Sequence, residues 1–259
     1  MTELFAADLQ RILWRPFTRA LGVVVVIVVA MTGVIVFVKS GGRHPFDTLT
    51  ALPAGFGSAA VLLTLAGFVL GATLFGADYS SRALTTLLTW EPRRPLVLTA
   101  RAASCAAVAA CAALATLALL CVALLPSVLA HGAGAVPTGS WYLSMAGLAL
   151  RCALLAAAAS AIGVSCAAIG RGTPAALAII AVYWIAVERT AIGIGQWLSR
   201  WLFMALAQSW VAADLSSGVR SSGGRGAGHA IVTSGLLLLA AVLLLHALAS
   251  WMLTRRDIA

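Results

Sequence analysis

The chain has 259 residues, of which 62% are hydrophobic and only 10% charged, with a mean hydropathy of +1.02. A soluble domain of this length carries about 25% charged residues, so a water-soluble globule is excluded and a multi-span membrane protein is expected. The net charge of +9 does not point to nucleic acid, because the basic residues are scattered between apolar runs rather than gathered in one patch.

Residues 2–17, TELFAADLQRILWRPF, come first. Phe5, Leu9, Ile12, Leu13 and Pro16 share one face at helical spacing, with Glu3, Gln10, Arg11 and Arg15 largely opposite. That pattern predicts an amphipathic helix over 1–19 lying in the headgroup layer, with Pro16 turning the chain into the bilayer. The first apolar run starts near residue 20 and is too long for the core of a cleavable signal peptide.

Span one is expected over about 20–38 and span two over about 53–75, the latter with a G-x-x-x-G pair, Gly67 and Gly71, that permits close backbone approach. Span three, dense in alanine, is expected over about 96–125, followed by an uncharged turn at 126–140 with His131 and Pro137. Span four runs to about Ile169, with Trp141 and Tyr142 as interfacial anchors at its start. The sequence GRGT at 170–173 reads as a tight turn, and Pro174 stands where a helix start tolerates proline. Span five begins there and meets Glu188 and Arg189. Residues 192–214 are amphipathic, 216–228 are a Gly/Ser-rich loop, and span six covers about 229–253.

Six spans place both termini on one side. That side carries ten basic residues and the other seven, so the termini are expected in the cytoplasm. The five cysteines, Cys105, Cys111, Cys121, Cys152 and Cys166, lie inside apolar runs; their odd number argues against a disulfide framework and fits small packing residues.

The polar island at 76–95 interrupts this pattern. Asp78, Ser80 or Ser81 can cap a short helix; Leu84, Leu87 and Leu88 form an apolar stripe on it, and Thr89-Trp90-Glu91-Pro92 ends it. A solvated loop needs neither the leucines nor Trp90. They fit either a partner's groove or the protein's own helix ends.

A small-residue-rich span, an acidic residue, a short helix ending L-T-x-x-P-R-R and a basic residue opening the next span resemble the permease subunits of ATP-binding-cassette exporters. The resemblance is to the branch that includes bacterial drug- and antibiotic-export permeases. The matching positions are Asp78, Arg82, Leu84, Thr85, Leu87, Leu88, Thr89, Pro92, Arg93, Arg94 and Arg101; Asp78 stands where that family usually has Glu, and Arg101 where it has Lys. The resemblance implies a coupling element, Asp78, Tyr79, Arg82, Leu84, Thr85, Leu87, Leu88, Trp90, Glu91, Arg93 and Arg94, resting on a separate ATPase. It further implies two ATPase copies, a second permease identical to this one or related to it, and a bacterial plasma-membrane location. ATP and Mg2+ would be bound by the partner: the only lysine is Lys39, preceded by Val38, so a Gly-Lys-Ser/Thr phosphate loop is absent.

Charges within a span cost several kcal/mol unless paired or wetted. Glu188 is therefore expected either in a structural pair with Arg151 or Arg189, or in a transport path or outer gate with Arg189, Arg151 and Trp184. His44, His131, His229 and His246 have no metal-ligand spacing, and no G-x-S-x-G elbow occurs.

The expected fold is thus a single all-α permease domain over 1–259. It has six transmembrane helices, an interfacial helix, a cytosolic coupling helix between spans two and three, and outer amphipathic helices within 190–228. The chain is not expected to be an enzyme, nor to hold a cofactor or metal of its own, and membrane lipid is an expected partner. The competing expectation is an ATP-independent channel or secondary transporter, against which no inverted repeat or chain of intramembrane carboxylates is apparent.

Overall fold

A computed structural model describes residues 14, 16–40, 48–81, 94–131, 138–188, 190, 202–212 and 227–255. Among these, secondary structure is entirely helical. The helices are α1 (Pro16–Ser40), α2 (Thr48–Ser80), α3 (Arg94–His131), α4 (Gly139–Gly170), α5 (Thr173–Val182) continuing into a π-helical turn (Tyr183–Glu188), α6 (Phe203–Ala212) and α7 (Ala227–Arg255).

Five of these helices, α1, α2, α3, α4 and α7, are long and apolar enough to cross a membrane, and Thr173–Glu188 forms a shorter apolar helix. The protein is therefore a multi-pass membrane protein. Hydroxyl groups inside the helices turn back on their own backbone, as Thr64 does to the Ala60 carbonyl at 2.7 Å and Thr116 to the Ala112 carbonyl at 2.7 Å. Such bonds leave few polar atoms facing hydrocarbon.

α4 is the hub, packing against α2, α3, α5, α6 and α7. Of its apolar span 67% is buried, against 11% for α1 and for α7. Those two helices therefore present the broadest apolar faces, with Val24, Ile27, Val34, Leu236 and Leu243 all exposed. The most extensive contact joins α2 to α4. It is built on three glycines: a Cβ at Gly67 or Gly71 would run into the α4 backbone at Ala156 and Ser160, and one at Gly163 into α2 at Phe68 and Ala72. Two backbones this close leave no room for a side chain.

The core divides into two layers along the bundle. In one, Phe75, Leu98, Val164, Ala176 and Leu253 come together, with Leu21 against them. That layer gathers the start of α1, the end of α2, the start of α3, the end of α4, the start of α5 and the end of α7. The other holds Leu63, Leu117, Leu148, Leu206 and Leu238.

Several boundaries depart from the sequence reading. α2 continues to Ser80 and α3 begins at Arg94, so the expected 76–95 segment loses residues to helix at both ends. Asp78 and Ser80 lie in the last turn of α2 rather than capping a new helix. α3 also passes through Pro126 to His131, where a turn was expected. Proline there removes one ladder bond from a long helix, and burial of Leu124 and Ser127 keeps the following turn on the bundle. The tight turn after α4 is present: Arg171 takes the left-handed conformation (φ 58°) and Pro174 stands in the first turn of α5.

Candidate functional site

Two buried polar centres stand out, one at each end of the bundle. At the first, Asp78 and Arg101 face each other from the end of α2 and the beginning of α3, with side chains only 2% and 7% exposed. Arg101 Nη1 lies 2.9 Å from Asp78 Oδ2. The sequence places these residues 23 positions apart, on either side of the polar island, and the helices return them to one point. Neither charge would be tolerated alone in such a place. The pair ties together the two helix ends from which residues 82–93 depart.

The remaining coupling residues, Arg82, Leu84, Thr85, Leu87, Leu88, Trp90, Glu91 and Arg93, lie outside the described residues, while Arg94 is the first residue of α3. Tyr79 is half-buried against the core layer that holds Phe75, Leu98 and Val164. Residues 1–13, which carry most of the expected interfacial helix, are also outside the described set. At its end the Arg19 guanidinium lies 4.7 Å above the Trp14 ring, and Arg255 stands 4.5 Å above Trp251 at the close of α7. Such stacking suits the amphipathic border of a bilayer.

The second centre is built around the short helix α6. Glu188, 6% exposed, accepts a hydrogen bond from the Met204 amide on Oε1 at 2.9 Å. The Tyr183 hydroxyl accepts from the Phe203 amide at 3.2 Å. Both donors belong to the first turn of α6, whose N–H groups have no partner within the helix, and the carboxylate also meets the positive end of the helix dipole. At the other end, Arg151 Nη1 reaches the Trp210 carbonyl at 3.5 Å, and Trp210 Nε1 donates to the Arg151 carbonyl at 3.3 Å. The Trp210 ring sits against Gly235 of α7, in space that a Cβ there would fill.

Glu188 and Arg151 thus hold opposite ends of one helix, each with the sign that its end of the dipole favours. Sequence reasoning brought both to one depth and considered pairing them, but could not see the helix between them, because its register depends on the packing of Trp210. Arg189 lies outside the described residues.

The π-helical turn widens α5 where it meets α6, an irregularity that often marks functional positions. It puts Tyr183, Trp184 and Glu188 on one cavity of about 270 Å³ between α2, α4, α5, α6 and α7. Thr64, Phe68, Ile162, Cys166, Ile180, Phe203, Met204 and Leu245 complete most of the wall. Phe68 and Phe203 stack at 5.3 Å between ring centroids, tilted by 55°. Trp184 and Glu188 share this cavity, whereas Arg151 is engaged with α6. Sequence reasoning missed Phe68, Tyr183 and Phe203; an aromatic in an apolar span has no signature of its own. A second cavity, of about 320 Å³, lies between α1, α2 and α3 with a wholly apolar and small-residue wall apart from Thr18 and Thr116. Among the described residues no group of His, Cys, Asp or Glu side chains is arranged to hold a metal ion.

No protein family matches this chain, and neither do any of the curated proteins or solved structures with which it was compared.

Proposed function

We propose that the chain is the membrane-spanning permease subunit of an ATP-driven exporter of the ATP-binding-cassette type, coupled through residues 79–91 to a separate ATPase. The observation that carries this reading is the buried Asp78–Arg101 pair at 2.9 Å. A segment meant to pass force into two membrane helices must be rooted where those helices cannot slide independently, and the pair sits at that root. The L-T-x-x-P-R-R segment between the roots, with its leucines and Trp90, supplies the surface that such a motor would grip.

The layered core supports six crossings. The start of α1, the end of α2, the start of α3, the end of α4, the start of α5 and the end of α7 share one core layer. Thr173–Glu188 therefore leaves that end of the bundle as α1 and α3 do, and serves as the sixth, short crossing. Both termini and residues 82–93 then face the cytoplasm of a bacterial cell, following the excess of arginine there. The permease works as a pair, with itself or with a related chain, and ATP and Mg2+ act in the partner ATPases.

Co-purification tests the reading. The intact chain should retain a cytosolic ATPase, and Leu87→Asp with Leu88→Asp should release it while the permease still assembles in the membrane. Flux through vesicles containing this chain alone, without ATP, would favour the channel or secondary-transporter reading instead.

A further inference from the structure

We infer that the cavity beside Glu188 is a binding site for a small organic cation, an ammonium ion carried on an apolar or aromatic body. The site stands on its own geometry and needs no ATPase. Its volume of about 270 Å³ is nearly twice the roughly 150 Å³ that accepts benzene in an apolar protein interior. It lies just below the roughly 300 Å³ at which drug-sized sites begin. A ring system with a short amine-bearing arm fills such a space.

The chemistry of the wall selects the charge. Rings from Phe68, Tyr183, Trp184 and Phe203 surround the space, and among the described residues Glu188 is the one acidic or basic side chain on its wall. Among the described residues, the hydrogen bond to this carboxylate comes from Met204 on Oε1, which leaves acceptor capacity for a second donor. A carboxylate held in apolar surroundings gains most from a charged donor, and the aromatic faces attract the same cation through their quadrupoles. An anionic ligand would meet Glu188 with like charge. A neutral apolar ligand, a lipid acyl chain included, would leave the buried carboxylate short of a partner.

The test uses the full-length chain purified into phosphatidylcholine nanodiscs, with tritium-labelled naphthylmethylammonium as probe and neutral naphthylmethanol as its competitor of similar shape. The amine should bind saturably, with one site per chain, and the alcohol at least about tenfold more weakly, the ratio that one hydrogen bond to a charged group supplies. Glu188→Gln should remove that preference while α6 stays seated, since the amide oxygen still accepts from Met204. Ala241→Trp, which fills the cavity from α7, should abolish saturable binding of either compound, and it keeps the test independent of any folding defect at Glu188. Equal binding of amine and alcohol, unaltered by Glu188→Gln, would mean a site for apolar chains and would overturn the inference. So would amine uptake that never saturates. Transport plays no part in these readouts, so a failed ATPase co-purification leaves them intact.

Discussion

At the scale of single residues, the buried charges govern behaviour. Asp78 and Arg101 each sit where an unpaired charge would be costly, so removing one partner is worse than removing both. Breaking a buried ion pair costs about 3–5 kcal/mol, whereas replacing both members by apolar residues is often neutral. We expect Asp78→Leu or Arg101→Leu alone to lower the amount of folded protein in membranes, and the double Leu variant to recover most of it. Thermal unfolding followed by size-exclusion chromatography reads this directly; single variants as stable as the double would show that the pair is not a unit. Glu188 carries a different expectation. Glu188→Ala strips the acceptor from the first turn of α6 and should destabilise the protein by about 1–2 kcal/mol, as loss of a helix cap does. Glu188→Gln should fold nearly as well as the parent. Equal damage from both would mean that the charge, rather than the acceptor atom, seats α6.

At the scale of elements, the crossing of α2 and α4 is the least forgiving part of the bundle. Gly71 and Gly163 lie where the opposing backbone fills the place of a Cβ. Substitution by leucine should cost about 1–3 kcal/mol or more through overpacking, while leucine at Gly22, which meets nothing within 4 Å, should be tolerated. Thermal midpoints of the three variants rank them; a Gly22 variant as damaged as the other two would contradict this account of the crossing. The short helix α6 shows how a weak local signal becomes a fixed element. Its 10 residues are too few to be stable alone. Leu206, Ala207 and Val211 nevertheless enter the core, and Glu188 and Arg151 hold its ends. A helix held by side chains from α4 and the π-helical turn responds to any movement of either.

At the scale of the whole molecule, sidedness is the quantity to measure. In a cysteine-free background, a cysteine at Ser81 should react with a membrane-impermeant maleimide only after the cells are opened, and one at Gly139 should react in intact cells. The reverse pattern would place residues 82–93 outside and remove the proposed coupling to a cytosolic motor. The exposed faces of α1 and α7 are wide enough to meet lipid along their length, which fits a chain whose polar centres are both gathered inside the bundle.

Hydrophobic run length alone determined the class of this protein, because a bilayer requires about 20 apolar residues per crossing wherever they occur in a chain. The close approach at Gly67 and Gly71 was also legible, since absence of a side chain is a property of the residue itself. The destinations of the charges were decided only in three dimensions. Asp78 and Arg101 meet across a segment whose length conceals their proximity, and Glu188 and Arg151, which looked like partners for each other, serve opposite ends of α6. Periodicity reports which face of a helix is apolar, whereas the partner of a buried charge depends on which helices cross and at what depth. That depth is set by packing at positions such as Gly163 and Trp210, where no pattern along the chain records it.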